Sequence, residues 1–250
     1  MASDTTLVVS NPGQLGSART RRDFLRIMGI GGAVVLLPSV LSSCSDDDDD
    51  IFGPGGQPGS GNTVTIDFSK GDIAVLQFAY ALEQLEADFY TRVVAASGGS
   101  NLTAADNAVM ADLKNHEVIH REFLKIALGT NASFTLTPTY PGVNFSNRTS
   151  VLTTARTFED LGVSAYNGAA QYFTSTTNLL VAGKIVSVEA RHAAAIRDLI
   201  NPKSGDFAPT PFDDAFSPAK VAGAAQGFIV DKLAFANAPS TFVQGPNNNG

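Results

Sequence analysis

The side chains best suited to chemistry in this 250-residue chain are few. There are three histidines, His116, His120 and His192, and six glutamates, Glu83, Glu86, Glu117, Glu122, Glu159 and Glu189. Four of these nine form two pairs of one spacing, Glu117-x-x-His120 (EVIH) and Glu189-x-x-His192 (EARH). Residues i and i+3 share a helix face, so each pair can offer a carboxylate oxygen and an imidazole nitrogen to one cation. The first pair also lies inside HEVIH, His116 to His120. In that H-E-x-x-H spacing two histidines can hold Zn²⁺ while the glutamate acts as base. Two chemistries thus compete for one stretch: a zinc site on His116 and His120, or half of a two-metal site on Glu117 and His120.

The rest of the chain favours the two-metal site. Glu83 and Glu159 fall on two further helical segments, and each is followed seven residues later by a tyrosine, Tyr90 and Tyr166. Seven residues are nearly two helical turns, so each glutamate and its tyrosine share a stripe. One Glu from each of two helices, with Glu-x-x-His from each of the other two, is the ligand pattern of di-iron and di-manganese bundles. All four carboxylates have apolar same-face neighbours: Leu76 and Ala87 around Glu83, Leu113 and Leu124 around Glu117, Leu152 and Val163 around Glu159, Ile185 and Ile196 around Glu189. Burying four carboxylates without counter-charge is prohibitive. Two divalent cations would supply it, and mixed carboxylate and imidazole ligands suit Fe or Mn. Glu86 is an alternative to Glu83, since Ala79, Leu82, Phe89 and Val93 flank it, but the Tyr90 spacing favours Glu83. Asp160 has polar neighbours, Thr153, Thr157 and Ser164, and is set below Glu159. A zinc protease would need a third ligand, and REFLKI after His120 holds neither the glycine nor the histidine of the longer zinc motif.

These side chains need four helices to position them. Helical periodicity runs over Asp72 to about Ala96, stopping at Ser97-Gly98-Gly99, and from about Thr103 to Leu128, stopping at Gly129. Thr103 with Asp106 forms a capping box that uses Asp in place of Glu. Residues 130–149 break the period, with Pro138 and Pro141; about 20 extended residues reach roughly 65 Å, enough to run the length of a bundle. A third helix is expected from about Ser150 to Thr174, and a fourth from about Asn178 to Ile200, ended by Asn201-Pro202. The expected fold is all-α: a four-helix bundle with one long crossover between helices 2 and 3. Residues 201–250 form a C-terminal extension, with a short helix from Ser217-Pro218 to about Ala234 and ten final residues expected to be disordered.

The N-terminal part reads as an address. Arg21-Arg22 followed by Phe24-Leu25 and an apolar run from Ile27 to Leu41 resembles a twin-arginine export signal, too short to span a membrane permanently. Leu41-Ser42-Ser43-Cys44 resembles a bacterial lipobox, which implies residues 1–43 as signal peptide and lipidation at Cys44. Cys44 is the sole cysteine, so an intramolecular disulfide and a cysteine-ligated metal in the folded part are excluded. Residues 44–69 would be the lipidated cysteine, the acidic run Asp46–Asp50 and a Gly/Pro-rich tether. The net charge of −7, with no basic stripe and no tryptophan, argues against a nucleic-acid partner.

From about residue 70 to 200 the chain resembles the ferritin-like superfamily, with the carboxylate pattern of bacterioferritins and rubrerythrins but without the rubrerythrin Cys₄ iron site. The leader and the LEQLEADFY segment look most like the bacterial ferritin-like group related to plant desiccation-associated proteins. The resemblance implies two Fe or Mn ions, with Glu117 and Glu189 bridging, Glu83 and Glu159 terminal, and His120 and His192 each capping one ion. Tyr90 and Tyr166, the catalytic candidates, would be hydrogen-bonding or redox neighbours of the metals. The implied substrates are O₂, peroxide or Fe²⁺, in an envelope protein held to the membrane through Cys44 and able to form homo-oligomers. The alternative is a non-catalytic binding or stress-protection scaffold on the same bundle.

Overall fold

The computed structural model describes residues 61–246. The twin-arginine stretch, Cys44, the acidic run and most of the tether lie outside the described residues. Four long helices make up most of the fold: α1 (Asp72–Ala96), α2 (Ala104–Leu128), α3 (Arg148–Ala169) and α4 (Thr176–Ile200). A short strand β1 (Thr63–Asp67) precedes them, and a short helix α5 (Pro218–Ala225) and strand β2 (Lys232–Ala236) follow. Helix α1 packs along α2, and α3 along α4; the two hairpins meet through α1 with α3 and α2 with α4. Among the described residues no helix is long and apolar enough to cross a membrane.

Helix α1 is the centre of the molecule. Eighteen of its 25 residues are buried, and a helix apolar on all sides needs cover on all sides. Three neighbouring helices cannot supply that, and the crossover does the rest. It runs along α1 from one end to the other: Gln77 donates to the Asn131 carbonyl (2.7 Å), Gln84 accepts from the Leu136 amide (2.9 Å), and the Tyr140 hydroxyl reaches the Leu85 carbonyl and Asp88 (both 3.0 Å). By Arg148 it has passed the far end, where the Arg148 amide donates to Asn101. Helix α2 is amphipathic by contrast, with Met110, Leu113, Glu117, Leu124 and Leu128 on one buried stripe.

Two buried aspartates fix the helix ends. Asp106 completes the capping box with Thr103 and takes Nε and Nη2 of Arg148 at 2.7 and 2.8 Å; Nη2 also donates to the Leu199 carbonyl at the end of α4. Asp72, at the start of α1, accepts from the Thr174 amide and hydroxyl, the Ser175 amide and Asn178. One aspartate thus ties α2, α3 and α4 together, and the other ties α1 to α4.

The sequence expectation needs correction at four places. Helix α3 begins at Arg148, because Asn147 supplies its cap, and ends at Ala169, passing into a single 3-10 turn over Ala170–Tyr172. The C-terminal helix stops at Ala225 and does not reach Ala234. Gly227 and the β-branched Ile229 and Val230 disfavour its continuation, and the Gln226 side chain bonds the Asp231 carbonyl (2.8 Å) and the Leu233 amide (3.2 Å). The chain then runs as β2, parallel to β1 in the register Thr63 with Lys232 to Asp67 with Ala236. A fold read as all-α therefore carries a two-stranded sheet, one strand of which falls inside the stretch read as tether. Finally, part of the tail read as disordered is held, with the Val243 amide donating to Gln171 at 2.9 Å.

The C-terminal residues pack on the bundle. Phe235 sets its ring edge-on to Phe68 and Phe78, at 5.4 and 5.9 Å between centroids. Residues before α5 press on α3 so closely that a Cβ at Gly168 would stand 1.9 Å from the Phe216 carbonyl oxygen. Only glycine fits there.

Candidate metal centre

Each long helix delivers its expected residues to one place in the interior. Glu83 comes from α1, Glu117 and His120 from α2, Glu159 from α3, and Glu189 and His192 from α4. The four glutamates are fully buried and His192 nearly so, while His120 is partly buried. Their ligand atoms form two overlapping groups: Glu83, Glu117, His120 and Glu189, and Glu117, Glu159, Glu189 and His192, with the atoms of each group within 4.8 Å of one another.

The two shared glutamates divide their oxygens between the groups. Nδ1 of His120 lies 3.1 Å from Glu117 Oε2 and 2.8 Å from Glu189 Oε1. Nδ1 of His192 lies 2.8 Å from Glu117 Oε1 and 3.4 Å from Glu189 Oε2. Glu83 approaches His120 at 3.6 Å, and Glu159 approaches His192 at 3.4 Å.

The donor set fits cations. Glu83 Oε2, Glu117 Oε1, Glu159 Oε2, both Glu189 oxygens and His192 Nδ1 are buried without a hydrogen-bond partner. The close approach of His192 Nδ1 to Glu117 Oε1 is not aligned as a hydrogen bond. Buried polar atoms are normally paired, and six converging orphans mark a place built for something else. Among the described residues no lysine or arginine forms an ion pair with these four carboxylates. Two carboxylate-rich groups, each with one imidazole, could hold metal.

Protonation tells the same story. Burial pushes the Glu83 carboxyl up to about 8 and the Glu159 carboxyl well above the usual range. Burial also raises Glu189, but the adjacent imidazoles of His120 and His192 outweigh it and hold Glu189 at about 2. For both histidines burial acts downward and is overcome by the surrounding glutamates, which push each up to about 12. In the absence of other cations the cluster keeps protons at neutral pH, and metal would take their place.

The tyrosines are crossed between hairpins. Tyr166 on α3 donates to Glu83 Oε1 of α1 at 2.6 Å, and Tyr90 on α1 donates to Glu159 Oε1 of α3 at 2.5 Å. The sequence placed each tyrosine on the stripe of its own glutamate; the structure hands it to the other one. Each hydroxyl occupies one carboxylate oxygen and leaves the second, Glu83 Oε2 or Glu159 Oε2, directed at the histidines. Burial, and after it the adjacent carboxylate, raises both phenols well above their usual range, so they remain donors.

His116, the first histidine of HEVIH, belongs to neither group. It is exposed, and its Nδ1 stands 2.8 Å from Nε2 of His192, on the far side of that ring from the carboxylates. A contact of this kind orients a ligating imidazole, and it joins two residues 76 positions apart that no local spacing links. A surface cleft of about 310 Å³ between α2 and α4, lined by His116, Ile119, His120, Val188, Arg191 and His192, borders both ligand histidines. Asp160 turns away to Arg197 (2.7 Å) and Arg156 (3.5 Å). Glu86 is buried yet lies outside both groups.

The model of the ferritin-like domain matches residues 71–202. The chain belongs to this ferritin-like family. No curated protein matches it. The ferritin-like match covers α1 to α4 and all six ligand candidates, and it stops short of α5 and β2.

Proposed function

We propose that this ferritin-like protein binds a dinuclear Fe or Mn centre and uses it in the envelope for O₂- or peroxide-linked metal oxidation or protection against oxidants. The observation that carries the proposal is the division of Glu117 and Glu189, each showing one oxygen to His120 and the other to His192. Two neighbouring cations are the arrangement that uses both oxygens of both carboxylates. Glu83 and Glu159 would complete the two ends, and the ions when bound would supply electrons to O₂ or peroxide.

The chain's own part is positional. Tyr166 and Tyr90 fix the free oxygens of Glu83 and Glu159, and His116 orients His192 so that Nδ1 faces inward. Burial excludes bulk water from the carboxylates and leaves the histidine side, at the α2–α4 cleft, as the approach for a small substrate. The export and lipid-anchor signals at residues 21–44 favour a membrane-tethered location, and the twin-arginine route would allow loading before export.

Anaerobic loading with Fe²⁺, followed by oxygen exposure with optical and metal-content readouts, tests the proposal. About two ions per chain and a new near-ultraviolet absorption on oxidation are expected. Less than half an equivalent after reconstitution would refute the centre, and tight binding without turnover would favour the scaffold role.

A further inference from the structure

Helix α2 carries a second apolar stripe that its packing in the bundle does not use. Met110, Leu113, Leu124 and Leu128 face the core. Ile119, Phe123 and Ile126 lie along one other side of the helix and are exposed, Ile119 by 62% and Ile126 by 80%. Leu180 of α4, exposed by 58%, lies at the same end of the bundle, where Leu124 and Leu128 pack with Ala182 and Ile185. The cleft beside the ligand histidines joins the two helices through Ile119, Val188 and Arg191. Single exposed apolar residues are ordinary on a protein surface. A row of them across adjoining helices marks a surface that something covers.

The charges around this row say what covers it. Over residues 119–128 of α2 and 176–191 of α4, the ionisable residues outside the ligand groups are Arg121, Lys125, Lys184 and Arg191, against Glu122 alone. Glu122 is already held by Arg121 at 2.7 Å. Among the described residues neither Lys184 nor Arg191 has an ion-pair partner. The whole chain carries −7, so this is a basic, apolar patch on an acidic protein. A second copy docked here would set the same cations against one another. An anionic phospholipid bilayer offers acyl chains to the apolar row and phosphates to the lysines and arginines, whose long stems let the charged ends reach the headgroups.

We propose that the α2–α4 face is a membrane-docking surface, which lays the domain on anionic phospholipid with the cleft of the ligand histidines turned to the lipid. It uses no metal ligand and is independent of the metal centre. The described chain begins at Gly61, where a Cβ would stand 2.8 Å from the Val230 carbonyl oxygen. The next residue, Asp231, accepts from the Thr137 amide of the crossover at 2.6 Å, so the tether leaves from the crossover side of the bundle. Residues 44–60, fully extended, reach about 60 Å, and two helix layers are about 20 Å thick. An anchor at Cys44 therefore leaves the domain free to turn this face to the bilayer.

Co-sedimentation with vesicles tests this on the chain without its expected signal segment, residues 44–250, carrying Cys44→Ala so that no acyl chain contributes. Mixed phosphatidylglycerol and phosphatidylcholine vesicles are compared with phosphatidylcholine alone. Binding to the anionic vesicles is expected to be roughly tenfold tighter or more and to lose that preference in high salt. I126D with L180D, both at exposed positions, should lose roughly tenfold or more on anionic vesicles, with a melting curve that matches the parent. K125Q with K184Q should weaken binding about fivefold for each lysine with the apolar row intact. No binding, equal binding to neutral vesicles, or unchanged binding by either variant would overturn the docking surface. So would a dimer in light scattering that I126D with L180D splits into monomers, since the face would then belong to a second copy.

Discussion

Replacing Glu189 by Gln should uncouple metal from stability. Glu189 belongs to both ligand groups, with one oxygen 2.8 Å from His120 Nδ1 and the other 3.4 Å from His192 Nδ1. A ligand that binds only the folded state at about 100 times its Kd adds about 2.7 kcal/mol per site, so two sites add about 5 kcal/mol. At roughly 2–4 °C per kcal/mol for a domain of this size, loading should raise the Tm by about 10–20 °C. The amide of E189Q carries no charge and one acceptor, so both ions lose a ligand together. If each affinity falls about 100-fold, the same metal concentration sits near the new Kd, and the gain drops to about 0.4 kcal/mol per site. The Tm shift should then shrink to about 2–3 °C. Differential scanning calorimetry with and without Mn²⁺ measures this, with the half-buried Glu122→Gln, which lies outside both groups, as a control that keeps the full shift. An E189Q protein that retains most of the wild-type shift would refute Glu189 as a shared ligand.

Two further outcomes follow from the charges. Asp106→Asn should destabilise the fold by about 2–3 kcal/mol at pH 7, since it removes the charge that Arg148 grips. Arg148 beside Asp106 holds its carboxyl at about 2; this contribution is present above the ordinary aspartate pKa and lost as pH falls through about 2, so chemical denaturation should show the difference from wild type closing in acid. In the metal-free protein Glu83 is raised to about 8 and His120 and His192 to about 12. Raised groups stabilise below their ordinary pKa and lose that contribution as pH rises through the folded value, so metal-free Tm should fall from about pH 5 to 9. Metal affinity should move the opposite way because its ligands must shed protons, and melting curves across that range should show the gap between loaded and metal-free protein widening. A metal-free Tm that climbs through this window would contradict the assignment.

The four long helices and the candidate residues they carry are legible because both depend on local spacing. The bounds of α1 and the capping box at Thr103 can be read from the residues themselves, and the Glu-x-x-His pairs announce a shared face. The tyrosine partners were not legible, since periodicity says which face a side chain occupies but not which helix comes to meet it. The β1–β2 pair was hidden for a related reason: five-residue strands at opposite ends of the fold carry almost no local signal, and Lys232–Ala236 reads equally well as helix. Glu86 has the apolar neighbours of a core position, and nothing in its local spacing shows that it stays outside both groups.

The packing of the C-terminal residues bears on how this domain can be cut. The family match closes at residue 202, soon after the last ligand helix. A chain trimmed there would still own every candidate ligand, yet it would leave Phe68 and Phe78 without Phe235, Gly168 without Phe216 against it and β1 without a partner. The transferable unit is longer than the ligand-bearing one. For grafting, fusion or recombinant expression, the boundaries of this protein are set by its aromatic packing at the far end of the chain, not by the bundle that carries its chemistry.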